Sequence, residues 1–236
     1  MGLSTSVQTE DRVLWMGLLD VSASQKEFPL HLNREIWGNG ERFGTMMVNP
    51  DRIFWYASRV ANPNDVFLRP FKTEILKRFS SWPFHSARIV ELTPELSVRR
   101  WRNFRRYGLG ASIVQGRIAL IGDAARDRLS LIQYGPWNCV EDAFCLAHMI
   151  GRYGHIRDNV ALTEYQTYRW PLVHRATTAC QRLDDFIHST DMRSTKLREF
   201  CFSYPAMLRI LGISPNLQLQ GMLDDSSAME SNGVVA

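Results

Sequence analysis

The first half of the chain sets short apolar runs between turn residues, and the second half spaces its apolar residues as helices do. VLWMGLLD, Val13 to Asp20, is an apolar run of strand length. A polar loop follows and ends in WGNGERFG, Trp37 to Gly44. Next come FGTMMVN and RIFWYASRV, separated by Asn49-Pro50-Asp51. That tripeptide is strong turn chemistry, so the two runs are expected to form an antiparallel hairpin. Trp55 and Tyr56 then point to opposite faces, because side chains alternate along a strand. Phe71, Ile75, Leu76 and Phe79 fall at helical spacing, and Trp82-Pro83 ends that helix.

SIVQGRIALIGDAA stays apolar without alternating, which predicts a strand buried on both faces, as in a parallel sheet. A helix is expected from about Asn138 to Arg152, with Asn138 as N-cap and Gly151 and Gly154 as terminators. Val140, Phe144, Ala147 and Ile150 would share its buried face. A longer helix should run from about Ala161 to Ser189, kinked or broken at Pro171. A last helix is expected from about Ser194 to Leu211, followed by a small polar tail. The expected organisation is a disordered stretch over 1–12, a sheet-and-helix region over 13–110, the apolar strand with C-terminal helices over 111–221, and a disordered tail over 222–236.

Composition narrows the classes. Of 236 residues, 45% are hydrophobic and 22% charged, which excludes a disordered, collagen-like or coiled-coil chain. The 28 Lys+Arg against 24 Asp+Glu leave +4, too mild an excess to point to nucleic acid as a partner. RRWRNFRR, Arg99 to Arg106, has aromatics among its arginines and reads either as a phosphate contact or as a solvated strand edge. No apolar run approaches the roughly 18 residues of a membrane span. The start has no basic region followed by an apolar one, so no secretory signal is expected. Gly2 with Ser6 is a myristoylation-like pattern, of a kind that matches often by chance. Cys139, Cys145, Cys180 and Cys201 make no CxxC pair and have no zinc-finger partners, so reduced thiols, no metal site and a cytoplasmic location are expected.

The chemistry concentrates in GRIALIGDAARDRLSLIQYGPWNCVEDAFCLA, Gly116 to Ala147. It reads as strand, Gly-Asp, loop, helix start. Asp123 is placed to accept hydrogen bonds from the hydroxyls of a sugar or ribityl chain. The helix start offers unsatisfied N–H groups and a positive dipole end to a phosphate or an electron-rich ring. A purely structural reading stands beside this one: Asp123 caps its turn and Gly122 permits tight packing. Arg126, Asp127, Tyr134 and His148 are the other polar candidates. Asp127 also reads as a local ion-pair partner of Arg126, and His148 as a packed helix residue.

GRIALIGDAA followed by VEDAFCLA resembles the second flavin motif of the class A FAD-dependent monooxygenases, the p-hydroxybenzoate hydroxylase-like and zeaxanthin epoxidase-like family. WMGLLD stands where members usually carry Trp-Arg-Gly. EIWGNGERFGTMMVNPDRIFWYAS resembles the substrate-domain strands, FKTEILKRFSSW the helix before the second motif, and LTEYQTYRWPLVHRATTACQR the closing helix. The resemblance covers roughly Val13 to Gly212. It implies an α+β fold, a mainly antiparallel curved sheet with one remnant parallel strand and C-terminal helices. It implies Asp123 and Gly135 as flavin contacts if FAD is bound. An apolar pocket rimmed by Trp15, Met16, Trp55, Tyr134 and Trp137, with His148 nearby, would take an aromatic, terpenoid, polyketide or alkaloid substrate.

The departures from the family pattern shape the functional expectation. No GxGxxG dinucleotide cradle is found, since GNGERFG puts Phe43 at the third fingerprint position. The family's Trp-Arg-Gly arginine is Met16, the GDAAH histidine is Arg126, and only Gly135 survives of GQG. A truncated scaffold is therefore expected, with no cofactor on the lone chain and with a homodimer or partner chain covering exposed edges. The leading expectation is a cofactor-independent tailoring enzyme of secondary metabolism that shapes an apolar substrate for cyclisation, cycloaddition (a pericyclase) or isomerisation. Asp123, Arg126, Asp127 and Tyr134 would be its catalytic groups. The alternatives are an FAD- and NADPH-dependent hydroxylase or epoxidase present as a fragment or needing a partner chain, and a non-catalytic remnant that binds an apolar ligand.

Overall fold

The computed structural model describes residues 6–22, 27–28, 34–62, 65–107, 112–126, 135–154 and 159–203. The chain forms two compact units, one of Val7–Arg105 with Ile187–Asp191, the other of Arg106–Phe186 with Met1–Ser6 and Met192–Ala236.

The first unit is a five-stranded sheet backed by two helices. Its strands are β1 (Ser6–Asp20), β2 (Arg34–Trp37), β3 (Glu41–Asn49), β4 (Arg52–Val60) and β5 (Arg99–Tyr107), in the order β2-β3-β4-β1-β5. The expected hairpin is β3–β4, turning at Asn49 to Asp51, where the Asn49 side chain accepts from the Asp51 N–H at 2.9 Å. β1 begins at Ser6, so residues 6–12, expected to be disordered, are strand. Ladder hydrogen bonds need only backbone groups, and β1 lies between β4 and β5.

The helices are α1 (Phe71–Phe79) and α2 (Ser86–Leu92). Glu95 reaches back to cap α1, its two carboxylate oxygens accepting from the backbone N–H groups of Phe71 and Lys72 at 2.7 and 3.2 Å. Ile75, Phe79, Ile89 and Val90 of these helices share a core with Val13, Trp15, Phe43, Ile53, Trp55 and Ala57 of the sheet. Trp55 lies flat over Gly17, where an added Cβ would come within 2.7 Å of the indole. Its ring stacks on Phe43 at 5.9 Å, and its Nε1 donates to Thr93 Oγ1 at 2.8 Å.

The second unit packs three helices, α3 (Gly135–Tyr153), α4 (Val160–Ile187) and α5 (Met192–Ser203), with a short hairpin of β6 (Val114–Gln115) and β7 (Ile118–Ala119). The expected doubly buried parallel strand is replaced here by this antiparallel hairpin, with Ile118 and Ile121 exposed. Among the described residues no parallel neighbour flanks the run, and it folds back on itself at Gly116, where φ is +57°. Ile113, Ala125, Cys145, Met149, Ala161 and Tyr165 form the core of this unit. Pro171 lies inside α4, and the helix runs through it without the expected break. α3 starts at Gly135, so Asn138 falls within its first turn rather than at the N-cap.

Candidate functional site

Two polar centres stand out, one in each unit. The sheet centre lies on the face turned away from α1 and α2. Period-2 alternation puts Leu14, Met16 and Leu18 of β1, Arg42, Gly44 and Met46 of β3, and Phe54, Tyr56 and Ser58 of β4 on that face. Register places them in rows across the strands. Leu14 pairs with Ser58, Ser58 with Arg42 and Arg42 with Trp37. Met16 pairs with Tyr56, Tyr56 with Gly44 and Gly44 with Glu35. Leu18 pairs with Phe54, and Phe54 with Met46.

Exposure rises from row to row. Leu14, Ser58 and Arg42 are buried, and the Ser58 hydroxyl meets His188 Nε2 at 2.8 Å. In the third row Leu18 and Met46 are 40% and 48% exposed. The middle row lies between the closed and open ends, and its polar group is Glu35. Gly44 has no side chain to block the Tyr56 ring, which crosses β3 and donates from its hydroxyl to Glu35 Oε2 at 2.6 Å. Trp37 Nε1 donates to Glu35 Oε1 at 2.6 Å, and the Arg42 guanidinium lies 3.3 Å from the same oxygen. That guanidinium also stacks 4.9 Å from the centre of the Tyr56 ring. Burial, and then the Glu35 carboxylate, push the Tyr56 phenol well above its ordinary value.

The helical centre surrounds Asp142, which is fully buried on α3. Its Oδ2 accepts from the Gly122 backbone N–H at 2.8 Å and from Arg126 at 3.1 Å. Its Oδ1 accepts from Arg169 Nε at 2.6 Å, and Arg169 also reaches Glu141 at 2.6 Å. Burial disfavours the Arg169 cation, but the bonds to Asp142 and Glu141 outweigh it and hold its pKa above the ordinary value. Gly122 has φ +59°, and a Cβ there would come within 2.9 Å of Cys139 Sγ. The Gly-Asp turn, Gly122–Ala125, is thus fastened to the start of α3.

The candidates named from sequence divide between these environments. Trp15 and Trp55 lie in the core rather than on a rim, fully buried against the backing helices. Met16 and Tyr56, their neighbours in sequence, take the other face. Arg126 is buried and turned toward Asp142. Asp123 is exposed, and His148 stacks on Phe144 along α3 at 6.5 Å. Gly135 and Trp137 fall in the first turn of α3. Asp127 and Tyr134 lie outside the described residues. Sequence reasoning missed Glu35, Trp37 and Arg42, although Glu35 and Trp37 at i and i+2 in a strand must share a face. The acidic pair Glu141-Asp142 stands within VEDAFCLA, but nothing in the sequence marks Arg169 as its partner.

The flavin expected from the resemblance can be tested on this geometry. The Gly122 N–H is held by Asp142, the turn lies against Cys139, and the Asp123 carboxylate is left exposed beside the N-terminal part of α3. An exposed acceptor fixed beside a helix N-terminus fits the hydroxylated ribityl side of a flavin. GNGERFG runs into β3 and not into a helix, so it forms no pyrophosphate cradle. Among the described residues no helix is long and apolar enough to cross a membrane, and no group of three or more His, Cys, Asp or Glu could hold a metal ion.

Comparison with known proteins gives relatives in sequence and in fold. No protein-family model matches the chain. The aurachin C monooxygenase/isomerase of Stigmatella aurantiaca is 32% identical over 155 residues, covering 66% of this chain and 39% of that protein. The 2-heptyl-3-hydroxy-4(1H)-quinolone synthase of Pseudomonas aeruginosa is 30% identical over 120 residues, covering 49% of this chain and 31% of that protein. Among solved structures, Klebsiella pneumoniae HpxO complexed with FAD and uric acid superposes with a TM-score of 0.68 at 20% identity, covering 93% of this chain and 54% of that one. The chain thus spans about half or less of the length of the proteins it matches.

Proposed function

We propose that this chain, which has the fold and the sequence relatives of the class A FAD-dependent monooxygenases, is the substrate side of a tailoring enzyme for a flat, apolar aromatic metabolite. The open face of the sheet carries this reading. Met16, Leu18, Met46 and Phe54 offer half-covered apolar surface around a single polar centre at Glu35. Ligand sites have this composition, mostly apolar with a few placed polar groups. The name of one relative, a quinolone synthase, supports a heteroaromatic substrate.

Asp123 and the first turn of α3 at Gly135 would hold the ribityl side of FAD, which when bound supplies redox chemistry with NADPH as reductant. The residues of this chain do the rest: the apolar face binds and orients the ring, and the Asp142 network fixes the turn that presents Asp123. Orientation alone is worth about 7 kcal/mol at the lower end of well-oriented systems. The second reading is therefore rearrangement without a redox cofactor, a cyclisation, cycloaddition or isomerisation. It is favoured by the burial of Arg126 in the Asp142 network and by the isomerase half of the relative's name.

The test is a titration of the 236-residue chain with 2-heptyl-4(1H)-quinolone, read by tryptophan fluorescence. Saturable binding is expected, and its absence overturns the reading. Turnover assays with and without FAD and NADPH then decide between oxygenation and rearrangement.

A further inference from the structure

The middle row of the sheet face has a hydrogen-bonding polarity that selects among ligands. A tyrosine hydroxyl has one proton to give and two lone pairs with which to accept. The single proton of Tyr56 goes to Glu35 Oε2 at 2.6 Å. The other oxygen of Glu35 is taken by Trp37 Nε1 at 2.6 Å and by Arg42 at 3.3 Å. Arg42, the nearest cation, is 2% exposed under the Tyr56 ring. The groups left able to meet a ligand on this row are the Tyr56 oxygen and the remaining lone pair of Glu35 Oε2, and both can only accept.

We infer that the Tyr56–Glu35 pair is a specificity device that selects aromatic ligands presenting a ring N–H or an enolic or phenolic O–H, and rejects analogues in which that hydrogen is replaced. The inference rests on the substrate-face reading above and adds to it which edge of the ring the protein reads. Glu35 is the positioning residue: it orients the phenol, and its negative charge strengthens Tyr56 as an acceptor. Gly44 is a structural requirement of the pair, because any side chain there would overlap the Tyr56 ring. A site built to pair one hydrogen discriminates strongly, since a ligand without it leaves a polar group unmet in a half-buried place.

The experiment compares 2-heptyl-4(1H)-quinolone with its N-methyl derivative on the whole chain, for the wild type, Tyr56→Phe and Glu35→Gln. The wild type is expected to bind the N–H probe at least tenfold more tightly. In Tyr56→Phe the ratio should fall toward one, with both probes still bound. Glu35→Gln should lower the ratio as well, because its amide can donate to the phenol oxygen and occupy it, and this variant carries the test if Tyr56→Phe does not fold. A merely structural role for Tyr56 would weaken both probes equally and keep the ratio. A wild type that binds both probes equally, or variants that keep the preference, overturns the inference and leaves the substrate-face reading standing. A wild type that binds neither probe overturns both.

Discussion

Asp142 and Glu35 are both carboxylates held by arginine, and they do opposite things. Asp142 is fully buried, its oxygens satisfied by two guanidinium groups and a backbone N–H. The Glu35 side chain is 30% exposed and draws on one arginine, a tyrosine and a tryptophan. The first arrangement ties the Gly-Asp turn, α3 and α4 together. The second leaves a lone pair of Tyr56 facing an apolar, half-open surface. A buried charge with all its partners is architecture; a partly open one with an unfilled acceptor beside it is where recognition can occur.

The largest effect should come from breaking the buried centre. Asp142→Asn leaves Arg126 and Arg169 without their shared anion, and a loss of about 3–5 kcal/mol is expected in denaturant unfolding. A loss below about 1 kcal/mol would mean that the network is not a structural tie. Gly44→Val should come next. The side chain drives the Tyr56 ring off β3 and costs about 1–3 kcal/mol by overpacking, and the quinolone preference should vanish with it. Binding unchanged in this variant would show that Tyr56 does not need its present position. Glu35→Gln should cost about 1.5–3 kcal/mol, the worth of a hydrogen bond to a charged group, because the buried Arg42 loses its anion, while still changing ligand discrimination. Asp123→Asn should be the mildest, within about 0.5 kcal/mol as for exposed sites. It should nonetheless weaken riboflavin binding, followed by quenching of flavin fluorescence.

The thiol beside Asp142 sharpens the contrast. Burial, aided by the Asp142 charge, pushes the Cys145 thiol from an ordinary 9.0 up to about 11. The thiolate is the nucleophile, so Cys145 should resist alkylation by iodoacetamide at pH 8 in the folded chain and react once it is unfolded. The folded state holds this proton more tightly than the unfolded one. The associated stability is present below about 9 and is lost as pH rises toward about 11.

Much of the sheet could be read before any coordinates. Asn49-Pro50-Asp51 fixed the hairpin, and period 2 put Trp55 and Tyr56 on opposite faces. Alternation cannot say which face is packed, so Trp15 and Trp55 were expected at a ligand and stand in the core. The buried face of α3 differs from the expected one for a physical reason. Hydrophobicity pointed to Val140, Phe144 and Ala147, yet these are exposed, and Asp142, Cys145 and Met149 are buried. A charge goes inside when a partner elsewhere in the chain pays its desolvation, and Arg169 lies 27 positions away. The Glu35 centre is hidden in the same way, since Tyr56 and Arg42 reach it from β4 and β3 through register alone, with Trp37 two residues on in its own strand.

One rim of the sheet has a consequence for the molecule in company. Among the described residues β5 ends the sheet order beside β1, and its sequence RRWRNFRRY carries Arg99, Arg100, Arg102, Arg105 and Arg106 in nine residues. Two copies of so basic a sequence repel each other, so fibrous accretion of neighbouring molecules through this strand is opposed. That protection is electrostatic, and concentrated salt would erode it first.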